Sequence, residues 1–411
     1  MKNTRRKFVK NIMGGAAGAG AVAMLSSFRP SKMEALAPAP EGASPQVDIE
    51  NLKITKIEYV RMRFPGTIPL MWNAIVSSGG GPHNMNYLEV HTNQGIVGRS
   101  IPKGPSSMNR GMIEIIKDEN PFDVERIWDR MYRFERKPVA KGDYIKAMGS
   151  VDIALWDIIG KALNLPVYRV LGGFQKKIRV YAAGGYYQEG KSTLDLAKEM
   201  EGYVAEGFRA VKMKVGGASF NEDVERVRAV RDAIGPDIDL MLDANNRWLA
   251  YEAILFGRAV QKYNPYWFEE PVEPDDFKGC AEVKQALDMA IVAGENEFTI
   301  WGARDLIEAG SADILNLDTV KAGGITEYRK IAALASAFHI PVAPHGNPHM
   351  AVHLLASTPN TLVMETYPGT QSQYNPILPL FPVKDGYVDV PDVPGLGIDG
   401  DPKLIEKYRY Q

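Results

Sequence analysis

Between Asp48 and Ser100, apolar and polar residues alternate. That period of two predicts antiparallel strands over 54–64, 87–92 and 95–99, with a hairpin turn at Thr92-Asn93-Gln94-Gly95. The connection Pro65 to Asn86, with Trp72, Asn73 and the run Gly79-Gly80-Gly81, is long. Connections of that length are lids, binding loops or unstructured insertions. The period then lengthens, predicting helices over 109–117, 123–134 and 145–163. In the last of these Ala147, Val151, Ala154, Leu155 and Ile158 form one core face. After Leu171-Gly172-Gly173 the pattern changes again. Apolar runs at 178–183, 209–215, 239–243, 266–269, 290–294, 313–317, 340–343 and 361–365 alternate with helical stretches. Strands followed by helices, then strands alternating with helices, describe an α+β domain ahead of an α/β barrel.

Three of the runs end in acids at one interval. Leu240-Met241-Leu242 leads into Asp243, Tyr266-Trp267-Phe268 into Glu269, and Ile291-Val292-Ala293-Gly294 into Glu295; the separations are 269 − 243 = 26 and 295 − 269 = 26. About that many residues make one βα unit, so the three carboxylates stand side by side at the barrel mouth. A single acid there would be read as a helix cap. Three in register repel one another unless a cation is present. Three hard oxygen ligands without Cys or His point to Mg²⁺, with Mn²⁺ next.

Further chemistry clusters at the same level. In Val211-Lys212-Met213-Lys214-Val215 both lysines point one way. Facing the barrel mouth, two ammonium groups are expected to lower each other's pKa, the direction a lysine base needs. The sixth run ends at Asp318 and the seventh at His345, so Asp318 is placed to accept a hydrogen bond from the imidazole and fix its tautomer. His339, His349 and His353 lie nearby; His353 falls on an apolar helix face, and His349 is within reach of a substrate. The eighth run ends at another acid, Glu365.

At 411 residues the chain is too long for one small core, and a net charge of −2 gives no reason to expect nucleic acid. Cys280 is the only cysteine, which excludes an intrachain disulfide and a thiolate metal cluster. Thr4-Arg5-Arg6-Lys7-Phe8-Val9-Lys10 precedes a small-residue apolar run from Ile12 to Phe28. This reads as an export signal rather than as part of the fold, and it resembles the twin-arginine motif, so a periplasmic location is expected. An ordinary basic N-terminus or a membrane anchor is the alternative, though the run is short and rich in Gly and Ala for a permanent span. Residues 29–47 then serve as a linker, with Ala35-Leu36-Ala37 as one candidate cleavage site.

Taken together, the motifs resemble the enolase superfamily, and within it the mandelate racemase subgroup. The resemblance runs over nearly everything after residue 48. It rests on Asp152-Ile153-Ala154-Leu155-Trp156-Asp157 with Gly160-Lys161-Ala162, Leu171-Gly172-Gly173, Lys212-Met213-Lys214 and Asp243-Ala244-Asn245. It continues through Glu269-Glu270-Pro271, Gly294-Glu295-Asn296, Asp318 with Gly323-Gly324-Ile325, and His345. The resemblance implies a (β/α)₇β TIM-like barrel over 171–385, an α+β capping domain over 48–170, and a C-terminal segment, 386–411, packed back on the cap. It implies that Asp243, Glu269 and Glu295 bind Mg²⁺, which in turn binds a substrate carboxylate. Glu270 is turned away, behind the ligands. Lys214 is then a base on one substrate face, Lys212 the cation that steadies the carboxylate, and His345, oriented by Asp318, the acid or base on the other face. Glu365 would donate a hydrogen bond to the enediolate, which requires it to be protonated. Asn245, Trp72 and His349 are candidate substrate contacts.

Two departures stand out. Relatives often read Gly-x-x-Gly-x-Gly-Glu where this chain has Gly95-Ile96-Val97-Gly98-Arg99-Ser100, leaving Arg99 open between lid, pocket and surface roles. Asn245 stands where some sugar-acid dehydratases place a second catalytic His. The expected activity is dehydration of an acid sugar to a 2-keto-3-deoxy product. Racemisation, epimerisation or cycloisomerisation through the same proton abstraction is the alternative, and an exported sugar-acid binding protein the remote one. The expected partner is a small carboxylate, with no nucleic acid and no stable membrane span, in a homo-oligomer.

Overall fold

The alternating stretch near the N-terminus folds into an antiparallel sheet. The computed structural model describes residues 47–103, 110–134, 141–368, 377–378 and 381–410; the expected export signal and most of the linker lie outside them. Strand β1 (Ile54–Thr67) is followed by a small hairpin, β2 (Met71–Trp72) and β3 (Ser77–Ser78), then by β4 (Pro82–Thr92) and β5 (Val97–Ser100). The sheet order is β1-β4-β5, and β1 keeps register with β4 from Lys56↔His91 to Arg63↔Asn84. Ile54, Ile57, Val60, Met62 and Phe64 supply its buried face. The long connection is therefore strand extension at both ends with a hairpin between.

The helix Asp143–Ala162 is buried almost throughout, not on one face only. The cap sheet covers one side and the barrel the other. Gly98 allows the first contact, since a Cβ there would sit 2.0 Å from the Ala154 carbonyl oxygen. Gly149 allows the second, where a Cβ would lie 2.4 Å from the Val320 carbonyl oxygen and 2.9 Å from the Gly324 nitrogen. Asp152 adds a polar lock: its carboxylate accepts from the Thr326 nitrogen at 3.0 Å and from the Thr326 hydroxyl at 2.5 Å. Burial pushes the Asp152 carboxyl up to about 7. Gly149→Ala is expected to cost about 1–3 kcal/mol, because the atoms it meets are backbone and cannot rotate away. Urea denaturation of the two proteins measures it, and an unchanged midpoint would contradict this packing.

The second half forms a curled parallel sheet. Its strands are β6 (Lys177–Ala183), β7 (Ala210–Lys214), β8 (Asp239–Asp243), β9 (Trp267–Glu269), β10 (Ala290–Ala293), β11 (Ile314–Leu315) and β12 (Met364–Thr366), with helices between them. The order is β11-β10-β9-β8-β7-β6-β12, and β13 (Tyr387–Asp389) pairs antiparallel with β6. The expected strand at 340–343 is reduced to single bridges, Leu315↔Val342 and Val342↔Thr361. Pro341 and Pro344 explain this, since neither has an N–H to donate to a ladder. Inside the curl, Trp267 and Tyr181 meet edge to face at 5.3 Å among Ala183, Ala210, Ala290 and Ala343. This floor lies beneath the site. Residues near the C-terminus run beside the cap: the Tyr410 nitrogen donates to the Arg61 carbonyl oxygen, and Met62 bridges Arg409. Among the described residues no helix is long and apolar enough to cross a membrane.

Candidate active site

Strand alternation delivers most of the charged side chains. Lys214, Asp243 and Glu269 are register partners across β7, β8 and β9, and all three are buried. The inward positions continue through Ile314, Asn316 and Asp318, through Ala343 and His345, and through Val363 and Glu365, each two residues apart. Glu295 needs a break in alternation. Gly294 provides it by taking φ of 131°, in the region that favours glycine.

The acids are met by cations. Lys212 Nζ donates to Glu269 at 2.9 and 3.0 Å, lies 2.9 Å from Glu365 Oε1 and 3.6 Å from Asp243 Oδ2, and sits 5.2 Å above the Tyr181 ring. Lys214 Nζ donates to Asp243 Oδ2 at 2.5 Å and lies 5.1 Å from the Tyr186 ring. Glu295 Oε2 faces His345 Nε2 at 3.3 Å. Asp318 Oδ2 lies 3.0 Å from His345 Nδ1, while its other oxygen accepts from the Val320 and Lys321 nitrogens.

Two expectations about protonation are corrected. Burial alone would lower the pKa of both lysines, but the carboxylates facing them outweigh burial and their mutual repulsion, so both are raised. Glu365 is held well below the usual carboxylate range: burial would raise it, but Lys212, His345 and Lys214 overcome that, a pull toward the ionised form rather than the protonated one. It accepts a hydrogen bond from the Gly346 nitrogen at 2.7 Å. His345 is raised, because Glu295, Asp318 and Glu365 outweigh its burial.

The acid set fits a divalent cation. Burial pushes Glu269 up to about 7; Lys212 opposes this, while Asp243, Glu365 and Glu295 add to it, the crowding a cation relieves. Asn245 carries a buried side-chain amide oxygen with no hydrogen-bond partner, while its backbone nitrogen donates to Asp243 Oδ1 at 2.9 Å. In this arrangement the ammonium of Lys212 stands among the carboxylates. The one trio of described residues whose donor atoms all lie within 4.8 Å of one another is Glu58, Glu89 and His91 on the cap. There Lys56, Arg99 and Arg409 already pair the two acids, which makes it an ion-pair network.

Other candidate residues sit elsewhere. Trp72 lies on the hairpin and stacks on Tyr187 at 6.5 Å. His349 is buried and packs against Phe381 at 4.8 Å. His353 is core, between the Tyr168 nitrogen and the Leu396 carbonyl oxygen, and His339 is exposed. Glu270 takes φ of 43° and accepts from Asn246 at 2.9 Å and Asn296 at 2.6 Å, outside the lysine-paired acids. Arg99 is neither lid nor pocket: it ties Glu89 to Asp399, and its nitrogen donates to Asp157. Three groups at the site have no forecast role. Lys103, from the cap, pairs with Asp318. Asn316 donates to Glu269 Oε1 at 2.9 Å and accepts from the Glu295 nitrogen at 3.1 Å. Tyr186 faces Lys214. The inward parity with Asp318 would have found Asn316; no spacing pointed to Lys103.

The family described as "Enolase C-terminal domain-like" matches residues 195–404, and the mandelate racemase / muconate lactonizing enzyme N-terminal domain matches residues 78–172. Over 357 residues the chain is 32% identical to an arabinonate dehydratase of Saccharolobus solfataricus, covering 82% of this chain and 94% of that protein. It is 37% identical over 275 residues to a 3,6-anhydro-alpha-L-galactonate cycloisomerase of Streptomyces coelicolor, covering 67% of this chain and 75% of that one. The crystal structure of a racemase from Streptomyces coelicolor with bound magnesium superposes with a TM-score of 0.77 at 29% identity, covering 87% of this chain and 100% of that one. The buried acid–lysine cluster at the strand ends thus sits in a chain that belongs to the enolase superfamily, in its mandelate racemase and muconate lactonizing enzyme family, as a metal-dependent lyase or isomerase.

Proposed function

We propose that this enzyme is a Mg²⁺-dependent acid-sugar dehydratase on a (β/α)₇β barrel, with seven strand–helix units closed by β12. The observation that carries the reading is two proton carriers flanking one group of acids. Lys214 ends β7, and His345 follows the seventh apolar run, with β6 and β12 between them around the curl. A carboxylate substrate lying across the acids would present its α-carbon to both.

Asp243, Glu269 and Glu295 would hold Mg²⁺, which would supply positive charge to offset the negative charge that α-proton removal adds to a carboxylate substrate. Lys212 adds a fixed cation for the substrate carboxylate. Lys214 takes the α-proton in one stereochemical series as the neutral amine; the Asp243 carboxylate that holds its ammonium form in this arrangement is one that the cation would engage instead. His345, its Nδ1 fixed on Asp318, returns a proton at Nε2 to the departing hydroxyl. Glu365, held by Gly346 and Lys212, keeps the ammonium of Lys212 in place and can take a proton as the dianion forms. Preplaced charge of this kind is commonly the largest part of a barrier reduction.

A second reading is favoured by the 37% identity to an anhydro-galactonate cycloisomerase. There the same abstraction expels a ring oxygen rather than water. Incubation with Mg²⁺ and a panel of aldonates, aldarates and anhydro-aldonates, read by proton NMR and mass spectrometry, separates the two. Dehydration gives a keto acid lighter by one water; cycloisomerisation gives a product of unchanged mass. A protein that bound acid sugars without exchanging their α-proton would overturn both.

A further inference from the structure

Behind β7 lies a second buried ion pair that no step above uses. Asp223 and Arg226 are both buried, on the first turns of the helix Phe220–Ile234. Arg226 Nη1 donates to Asp223 Oδ1 at 2.8 Å and to the carbonyl oxygen of Lys214 at 3.1 Å. Its Nη2 donates to the carbonyl oxygen of Gly185 at 2.9 Å, and its guanidinium lies 3.8 Å from the centre of the Tyr187 ring. The Tyr187 hydroxyl donates to Asp223 Oδ1 at 2.5 Å and accepts from the Gly217 nitrogen at 2.9 Å. On its other side Tyr187 exchanges two backbone hydrogen bonds of 2.9 Å with Trp72, on the hairpin that reaches over from the cap. Gly217 leaves room for this, since a Cβ there would stand 2.4 Å from the Tyr187 ring.

A buried ion pair contributes little net stability, because desolvation offsets its attraction. Where its hydrogen bonds end is therefore informative. They end on the last residue of β7, on the chain just before Tyr186, and on the residue that seats the hairpin. We propose that Arg226 is a positioning residue for Lys214, and that with Tyr187 and Asp223 it couples the seating of the Met71–Ser78 hairpin to the placement of that lysine. The proposal rests on the role given to Lys214 above. A planar guanidinium can hold two diverging carbonyls and a carboxylate while stacking on a ring; a lysine ammonium cannot.

The test uses Arg226→Lys and Tyr187→Phe in the full chain with Mg²⁺. In Arg226→Lys, solvent-deuterium exchange at the substrate α-carbon should fall about 10- to 100-fold on the face served by Lys214, since displacement of about 1 Å costs that much. Exchange on the His345 face and KM should stay unchanged. Tyr187→Phe keeps the ring and both backbone bonds but drops the hydroxyl, so amide hydrogen exchange in residues 71–78 should quicken severalfold. Equal losses on both faces, or hairpin amides as protected as in the wild type in both variants, would overturn the proposal. Should Arg226→Lys not fold, the amide result for Tyr187→Phe decides the coupling by itself. Should the wild type exchange no acid sugar, the functional reading fails, and the amide measurement still decides whether hairpin and ion pair are linked.

Discussion

Replacing Lys214 by alanine is expected to abolish solvent-deuterium exchange at the α-carbon for one stereochemical series, a loss of about 10²–10⁴-fold. Exchange for the other series, served by His345, should survive. The reason is placement: the ammonium lies at the end of β7, bonded to Asp243 at 2.5 Å, with the Tyr186 ring on its other side. Alanine removes the proton carrier and leaves the strand intact. It also frees Asp243 from its partner, so Mg²⁺ affinity should be kept or tightened rather than lost. Exchange retained on both faces would remove Lys214 from the mechanism. Loss on both faces together with weakened Mg²⁺ binding would make it a structural lysine.

Glu269→Gln carries the other large effect. Glu269 sits in the middle strand of the acid set, receiving two bonds from Lys212 and one from Asn316. Glutamine keeps its size and removes its charge. The folded protein should gain some stability without cation, because burial and the neighbouring acids already oppose that charge and push the group up to about 7. Its Mg²⁺-dependent rise in melting temperature should vanish, and turnover should drop on the order of 10³-fold or more, since cation stabilisation of a dianion contributes several kcal/mol. A variant that still answers to Mg²⁺ would contradict the assignment of Glu269 as a ligand.

Much of the site was legible because strand alternation is strict. Asp243, Glu269 and the pair Lys212 and Lys214 share one inward parity at the strand ends. The equal interval pointed to Glu295 as well, although it leaves that parity and reaches its place through the backbone turn at Gly294. What neither spacing nor parity expresses was missed: Lys103 arrives from the cap to share Asp318 with His345. The protonation forecasts failed for a related reason. Lys212 and Lys214 were weighed against each other, whereas three carboxylates, Asp243, Glu269 and Glu365, outnumber them at close range. The strand expected at 340–343 shrank to bridges because two prolines remove its donors. The long cap connection proved to be a seated hairpin, a contact no local pattern encodes.

Crystals soaked in Mn²⁺, read by anomalous diffraction, address the divalent-cation site head on. The predicted result is one strong peak bounded by the carboxylates of Asp243, Glu269 and Glu295, with the Lys212 ammonium displaced from between them. No peak there, or a peak only at Glu58, Glu89 and His91 on the cap, would contradict it.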